Sequence, residues 1–252
     1  MNRVLVITNN SLRRSNANGL LLLDQLSSFK YEEIITYSID NALPDKDTGI
    51  AHFKTTDNEH LKYFLSKKKL GRVVLNGELT VSRSTPTNVG KHKGIKESDF
   101  FLFIREFIWK HNHKERDNLD KFISEYHPSV ILFQASRTIF MIDTVIYLAS
   151  KYHLPVVVYT GEDEYFHTYP IYRIFKNILQ RRMKKRYKAL IHYVKRFTCT
   201  QAKLASLYQE EFNINTNYIY PSITLDELKV RDVVATLKIT NNAGLTFTIF
   251  GA

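Results

Sequence analysis

Three carboxylates and a histidine crowd one short loop: Glu162, Asp163, Glu164 and His167. The loop follows the apolar run Val156-Val157-Val158-Tyr159-Thr160, which reads as a buried strand. Ligands of open α/β sheets bind just outside the carboxyl ends of strands. A carboxylate held there can orient an acceptor hydroxyl or take its proton. Glu162, Asp163, Glu164 and His167 are all candidates for orienting or deprotonating such a hydroxyl. The plainer reading is that acids placed before a helix complement its dipole.

A second set of polar residues lies near the N-terminus. Asn9, Asn10, Arg13, Arg14 and Asn18 fill the loop at residues 9–18, and Gly19 closes it before Leu20-Leu21-Leu22-Leu23. Amides at the start of a helix hold anions, and a glycine lets a phosphate or sugar come close. Arg13 and Arg14 could meet a diphosphate. One glycine also suits an ordinary strand-to-helix turn. A third set, Gln134, Ser136 and Arg137, follows the apolar strand at 130–133. These residues suit acceptor contact, and Ser136 equally suits a helix cap.

Basic charge is concentrated in one place. Residues 172–196 hold ten Lys or Arg and no acid, against a formal net charge of +11, so the rest of the chain is nearly neutral. The same stretch carries an apolar stripe at helical spacing: Ile171, Phe175, Ile178, Leu179, Met183, Tyr187, Leu190, Ile191 and Val194. The stripe should pack on a sheet. Arg181, Arg182, Lys184, Lys185 and Lys188 would then face outward, either solvated or against an anionic membrane surface at roughly 1 kcal/mol per engaged cation. The aromatics fall mostly on the apolar stripe, which speaks against nucleic acid.

The elements that must position these groups alternate. Strands are expected at residues 3–8, 33–37, 50–54, 72–75, 130–133, 156–160, 197–200 and 217–220. Helices are expected at 20–29, 58–67 with Asn58 as cap, 97–109, 117–126, 139–152, 170–194 and 202–212. In the helix at 97–109, Phe100, Phe101, Ile104, Phe107 and Ile108 recur at helical spacing. Residues 67–98 read as a surface excursion. Apolar strands joined by helical crossovers specify an α/β fold, a Rossmann-like doubly wound, mostly parallel sheet with helices on both faces.

The composition is globular, 44% hydrophobic and 24% charged. Cys199 is the single cysteine, so no internal disulfide forms and a buried thiol in a reducing cytoplasm is expected. No segment reaches transmembrane length. His111-Asn112-His113 is too compact for a ββα nuclease site, and no His, Cys and carboxylate cluster has metal-ligand spacing. No metal is expected.

Four passages together resemble the N-terminal half of a GT-B glycosyltransferase, especially retaining family 4 with its capsule, lipopolysaccharide and teichoic-acid enzymes. They are Val4-Leu5-Val6-Ile7-Thr8 with Asn9-Asn10 and Asn18-Gly19, and Ile104-Arg105-Glu106-Phe107-Ile108-Trp109-Lys110. Leu154-Pro155-Val156-Val157-Val158-Tyr159-Thr160 with Glu162-Asp163 is the third. Phe197-Thr198-Cys199-Thr200-Gln201 with Leu204, Tyr208 and Tyr220-Pro221 is the fourth. The resemblance implies that residues 1–222 are an acceptor-side domain, with 223–252 a linker and the first strand of a donor-binding domain continuing past Ala252; by the acidic pair of the resembled loop, Asp163 is the first catalytic candidate and Glu162 the second, with His167 as a binding group. It implies sugar transfer to a glycan or lipid-linked acceptor, peripheral at the inner face of the plasma membrane. This fragment would carry no cofactor and be inactive alone. The nucleotide-sugar donor would belong to the full-length enzyme, completed in cis by the second domain. A nucleic-acid-binding α/β protein and a flavodoxin-like binding domain are the alternatives.

Overall fold

The computed structural model describes residues 3–67, 70–76, 99–112 and 114–219. Strands β1 (Val4–Thr8), β2 (Ile34–Ser38), β3 (Ala51–Lys54), β4 (Arg72–Leu75), β5 (Val130–Gln134), β6 (Val156–Thr160), β7 (Val194–Cys199) and β8 (Thr216–Tyr218) lie between seven described helices. These are α1 (Ala17–Gln25), α2 (Asp57–Ser66), α3 (Asp99–His111), α4 (Lys114–Tyr126), α5 (Ile139–Tyr152), α6 (Ile174–Leu190) and α7 (Ala202–Phe212).

One sheet takes the order β4-β3-β2-β1-β5-β6-β7-β8. Every pairing is parallel except β3 with β4. The central six strands follow the doubly wound order that reverses direction between its two halves. That reversal falls between β1 and β5, where Val4 pairs with Val130 and Ile7 with Phe133. The chain enters β2 from β1 on one side and returns to β5 on the other. Crossovers must be right-handed, so helices from the two halves cover opposite faces. Leu12, Leu22 and Leu26 of the α1 region pack with Val4, Val6, Ile34 and Tyr159 on one face. Helices α4, α5, α6 and α7 bury Leu5, Ile7, Ile131, Phe133, Val158 and Phe197 on the other. Burial on both sides explains why the strands are runs of Val, Ile and Leu rather than alternating patterns.

The expected α/β architecture is therefore present, and element ends move. The first helix starts at Ala17, because Asn16 accepts a hydrogen bond from the Asn18 N–H at 3.1 Å. Thr56, not Asn58, caps α2 through the Glu59 N–H at 3.2 Å. The basic helix ends at Leu190 and gives way to a short 3-10 turn before β7. Cys199 is buried, and desolvation pushes its thiol up to about 12. The chain divides into a unit at Met1–Ile219 and another at Tyr220–Ala252. The second unit, with the expected linker and final strand, lies outside the described residues, as do residues 77–98 of the expected excursion.

Gly19 has a different task from the one its position suggested. A Cβ built on it would lie 2.5 Å from the Arg13 carbonyl oxygen and 2.7 Å from the Arg13 nitrogen. The space over Gly19 is filled by the chain's own loop, so the glycine lets residues 9–16 fold down onto α1. Alanine inside a helix normally gains about 1 kcal/mol over glycine. Here a backbone clash opposes that gain, and overpacking costs about 1–3 kcal/mol. Gly19→Ala should lower the urea unfolding midpoint, and an unchanged or raised midpoint would show the loop to be free to move off.

Candidate functional site

The switch point is where loops after β1, β5 and β6 meet. Thr8 ends β1 and donates its hydroxyl to Gln134 Oε1 of β5 at 2.5 Å. The Asn10 N–H returns to Thr8 Oγ1 at 3.2 Å. Thr138 donates to Asn9 Oδ1 at 3.2 Å and lies 2.5 Å from the Ser136 hydroxyl. Asn9, Asn10, Gln134 and Ser136 are thus brought to one edge as a polar row of two bonded groups, one around Thr8 and one around Thr138. Arg13 and Asn18 stand further along the loop. Asn18 is exposed and Arg13 partly so, while the Arg14 N–H donates to Asp45 at 2.6 Å.

The acidic loop after β6 folds against this row through Arg137. Its Nε donates to Glu164 Oε2 at 2.9 Å, and its other nitrogens reach the Asp163 carbonyl and the Tyr169 hydroxyl, both at 3.3 Å. Glu164 is 5% exposed. Desolvation pushes its carboxyl up, against the pull of Arg137. Asp163 accepts the Phe166 N–H at 2.7 Å, so one of its oxygens already closes the loop. Glu162 is exposed and engages the fold through its carbonyl, which accepts from Thr160 at 2.8 Å. His167 packs edge-on against Tyr169 with centroids 4.5 Å apart. The buried acid at this site is Glu164, one residue beyond the pair favoured by the sequence.

Two further residues complete the site, and neither stood out in the sequence. Tyr169 receives Arg137 and lies under the Lys176 ammonium at 5.1 Å. Glu106 reaches in from α3 and accepts the N–H groups of Ile139 at 3.0 Å and Phe140 at 3.1 Å. Those are orphan donors at the start of α5. Thr138, the residue in the cap position, makes no side-chain cap bond. Ser136 does not cap the helix either; the cap comes from another helix. Glu106, Arg137, Tyr169, Lys176 and Gln180 line a cavity of about 190 Å3 beside this helix end. The signal that could have found Glu106 is an acid at three-residue spacing from Trp109, a pairing that makes sense only on a buried face.

The face of α3 turns accordingly. Glu106 and Trp109 are its buried residues, whereas Phe100, Phe101 and Phe107 are at least 40% exposed. Arg105 and Trp109 both bond Asp57 Oδ1, at 2.7 and 2.8 Å, which fixes that rotation. The stripe of α6 is fully buried only in its second half, through Met183, Tyr187 and Leu190, while Phe175 in the first half meets Phe100 and Phe103 of α3. Ile171, Tyr172 and Ile174 are 93%, 81% and 63% exposed. A 17-residue helix spans about 25 Å while a five-residue strand spans about 17 Å, so the first turn overhangs the sheet. Several of the basic residues are paired: Arg173 and Lys176 with Asp99, Arg186 with Asp143, and Lys188 with Glu211. Lys184 lies over the Tyr165 ring and Arg182 is half-buried. Arg181 and Lys185 are exposed and have no acid within ion-pair distance among the described residues. No helix among those residues is long and apolar enough to cross a membrane.

No family model matches the chain, and no curated protein matches it at a significant level.

Burial raises the Glu106 carboxyl to about 7 and outweighs the opposing pull of two N–H bonds and of Arg105; Asp143 adds to the rise. A raised folded value means that Glu106 stabilises most below about pH 4.5 and loses this as pH climbs through 7. His52, buried on β3, is pulled down to about 4 and acts oppositely, with stability rising from pH 4 to 6.5. The two contributions partly cancel in the wild type. Glu106→Gln removes one, so its stability relative to wild type should improve between pH 4.5 and 7, by on the order of 1–3 kcal/mol. Urea titrations at several pH values measure this, and a pH-independent difference would refute the assignment.

Proposed function

We propose that this chain is the acceptor-binding half of a glycosyltransferase that moves a sugar from a nucleotide-sugar donor to a glycan or lipid-linked acceptor of a cell-surface polysaccharide. The observation that supports this most is the chemistry of the switch-point edge. It offers amide and hydroxyl groups, Asn9, Gln134, Ser136 and Thr138, in one row, with its nearest cations already neutralised. Such a surface suits a neutral polyol, whose hydroxyls both donate and accept, better than a diphosphate.

In this reading the acceptor hydroxyl lies over the row, near Asp163 and Arg137. Asp163 holds Phe166 with one carboxylate oxygen, which leaves the other to orient the hydroxyl. Retaining transfer does not require a base from this chain, so its residues bind and align. The 190 Å3 cavity lies below the roughly 300–1,000 Å3 of a complete small-molecule site and admits part of a sugar rather than a nucleotide. The donor belongs to a second domain.

Saturation-transfer NMR against oligosaccharides, polyprenyl-phosphate-linked sugars and nucleotide sugars tests this. Glycans or lipid-linked sugars should bind and nucleotide sugars should not. Asn9→Ala and Gln134→Ala should each weaken binding by about two- to tenfold, the worth of one hydrogen bond. Nucleotide sugars binding alone, or glycan binding indifferent to both variants, would sink the proposal.

The overhanging end of α6 supports adhesion to an anionic membrane. The exposed Ile171, Tyr172 and Ile174 precede Arg181 and Lys185, cations without an acid partner among the described residues, and an apolar end beside cations is what an interfacial helix presents. At about 1 kcal/mol per cation, Arg181→Gln with Lys185→Gln should lower partition onto phosphatidylglycerol vesicles about thirtyfold. Equal sedimentation of both proteins would remove this part of the reading.

A further inference from the structure

A second, larger cleft lies away from the switch point, at the outer edge of the sheet. It measures about 430 Å3 and opens between α2, α4 and the antiparallel pair β3 and β4. Its floor is apolar: Phe53, Leu70 and Phe122 line it and are at most 2% exposed. Phe53 and Phe122 form a tilted pair with centroids 5.8 Å apart. Gly71 shapes one wall, with φ at +69° and a hypothetical Cβ 2.7 Å from the Phe53 ring. Only glycine brings the backbone that close to the ring in that conformation.

The rim has the opposite character. Lys67, Arg72, Lys114 and Lys121 surround the opening, and Glu125 is the one acid lining it among the described residues. Among the described residues, Lys67, Arg72 and Lys121 have no acid within ion-pair distance, and Lys114 meets Asp117 only at 3.5 Å across an exposed turn. The Lys67 ammonium lies 5.0 Å over the Tyr63 ring, which directs it along the cleft wall. This differs from the switch point, where Arg137 and Lys176 are each neutralised by an acid. Four cations around a concave apolar wall repel one another and focus a positive potential into the cleft. An anion relieves that repulsion, and the accessible apolar wall, Tyr63 and the 41% exposed Val73, accepts a flat apolar body.

We propose that this cleft binds an organic phosphate: a molecule with an apolar, ring-sized body against Tyr63 and Val73, above the buried Phe53 and Phe122, and a phosphate at the rim between Arg72 and Lys121. The volume lies within the roughly 300–1,000 Å3 of small-molecule sites. Arg72 supplies the planar fork that matches phosphate oxygens, and the lysines supply point charge. The phosphate belongs either to a soluble metabolite or to a lipid headgroup. The assignment stands apart from the sugar-transfer reading, since it uses other residues and another edge of the sheet.

Naphthyl phosphate is a suitable probe, titrated into the full chain by fluorescence, with naphthol and inorganic pyrophosphate as the two partial probes. Naphthyl phosphate should bind more tightly than either, and more weakly as salt rises. Arg72→Gln with Lys121→Gln should weaken it by about tenfold or more, whereas Arg181→Gln with Lys185→Gln should leave it unchanged. If the first double variant unfolds, Lys121→Glu, a change on an exposed helix surface, replaces it and should weaken binding in the same direction. Displacement by phosphatidylcholine vesicles containing phosphatidic acid assigns the phosphate to a lipid headgroup; displacement by soluble aryl phosphates alone assigns it to a metabolite. Binding unaffected by either cleft variant overturns the proposal, as does equal loss in the α6 variant, which would mean attraction to net charge alone.

Discussion

A single carboxylate holds the switch point together. Glu106 leaves its own helix and accepts the first two amides of α5. A buried helix end without partners for its N–H groups is strongly unfavourable, and α5 is buried over most of its length. Taking a carboxylate out of water costs several kcal/mol. Two charge-assisted hydrogen bonds and the positive end of the helix dipole offset part of that. Burial wins by enough to lift the proton affinity to about 7, and the group stays in place because every alternative leaves the amides bare. The start of α5 fixes residues 135–138, and with them Arg137. Arg137 in turn gathers Glu164, the Asp163 carbonyl and Tyr169. The geometry of the acidic loop is thus inherited from an acid on a different helix.

The same helix carries the constraint to the other half of the sheet. One turn on from Glu106, the Trp109 ring is stacked between His60 at 3.4 Å and Phe140 at 3.9 Å. His60 accepts from Asn112 and faces Glu115, which receives the Tyr37 hydroxyl of β2. Buried contacts therefore run from α5 through α3, α2 and α4 to β2, by hydrogen bonds at both ends and by ring stacking between Trp109 and His60. Networks of this kind rigidify when every member is satisfied and are costly when one is not. Here His60 Nε2 and Asn112 Oδ1 are buried without a hydrogen-bond partner among the described residues, so the stacked rings hold this frame as much as its polar bonds do.

How much of this was legible follows from what each signal encodes. Runs such as Val156-Val157-Val158 announce two-sided burial directly, so the parallel sheet and the order of its elements could be read. The rotation of α3 could not. Counting Phe100, Phe101 and Phe107 gives an apolar face, yet they point outward, because Arg105, Glu106 and Trp109 are tied to partners distant in sequence. Periodicity registers how apolar a face is and is blind to a buried acid with a remote partner. The stripe of α6 misled for a different reason: its period is right, but a helix longer than the strand beneath it runs out of sheet. Among the site residues, Asn9, Asn10, Gln134, Ser136 and Arg137 were legible because strand-end position is itself readable. Glu164 was passed over for Asp163 and Glu162, since which acid of three turns inward depends on where Arg137 stands.

Charge placement separates the two concave regions. At the switch point each cation has a partner: Arg137 holds Glu164, while Lys176 and Arg173 share Asp99. A ligand arriving there finds dipoles rather than net charge, and it must bring hydroxyls to replace the water on those groups. At the outer cleft Lys67, Arg72 and Lys121 lack such partners among the described residues, and a ligand finds field and apolar surface. Exposed lysines and arginines confer little by themselves, so the net charge of +11 does not distinguish the regions. What distinguishes them is whether an acid was folded in beside each cation. The acids Asp99, Asp143, Glu164 and Glu211 all serve the half of the molecule that holds β5 to β7. That asymmetry leaves the polar edge fit for a neutral, hydroxyl-rich ligand and the far edge fit for an anion.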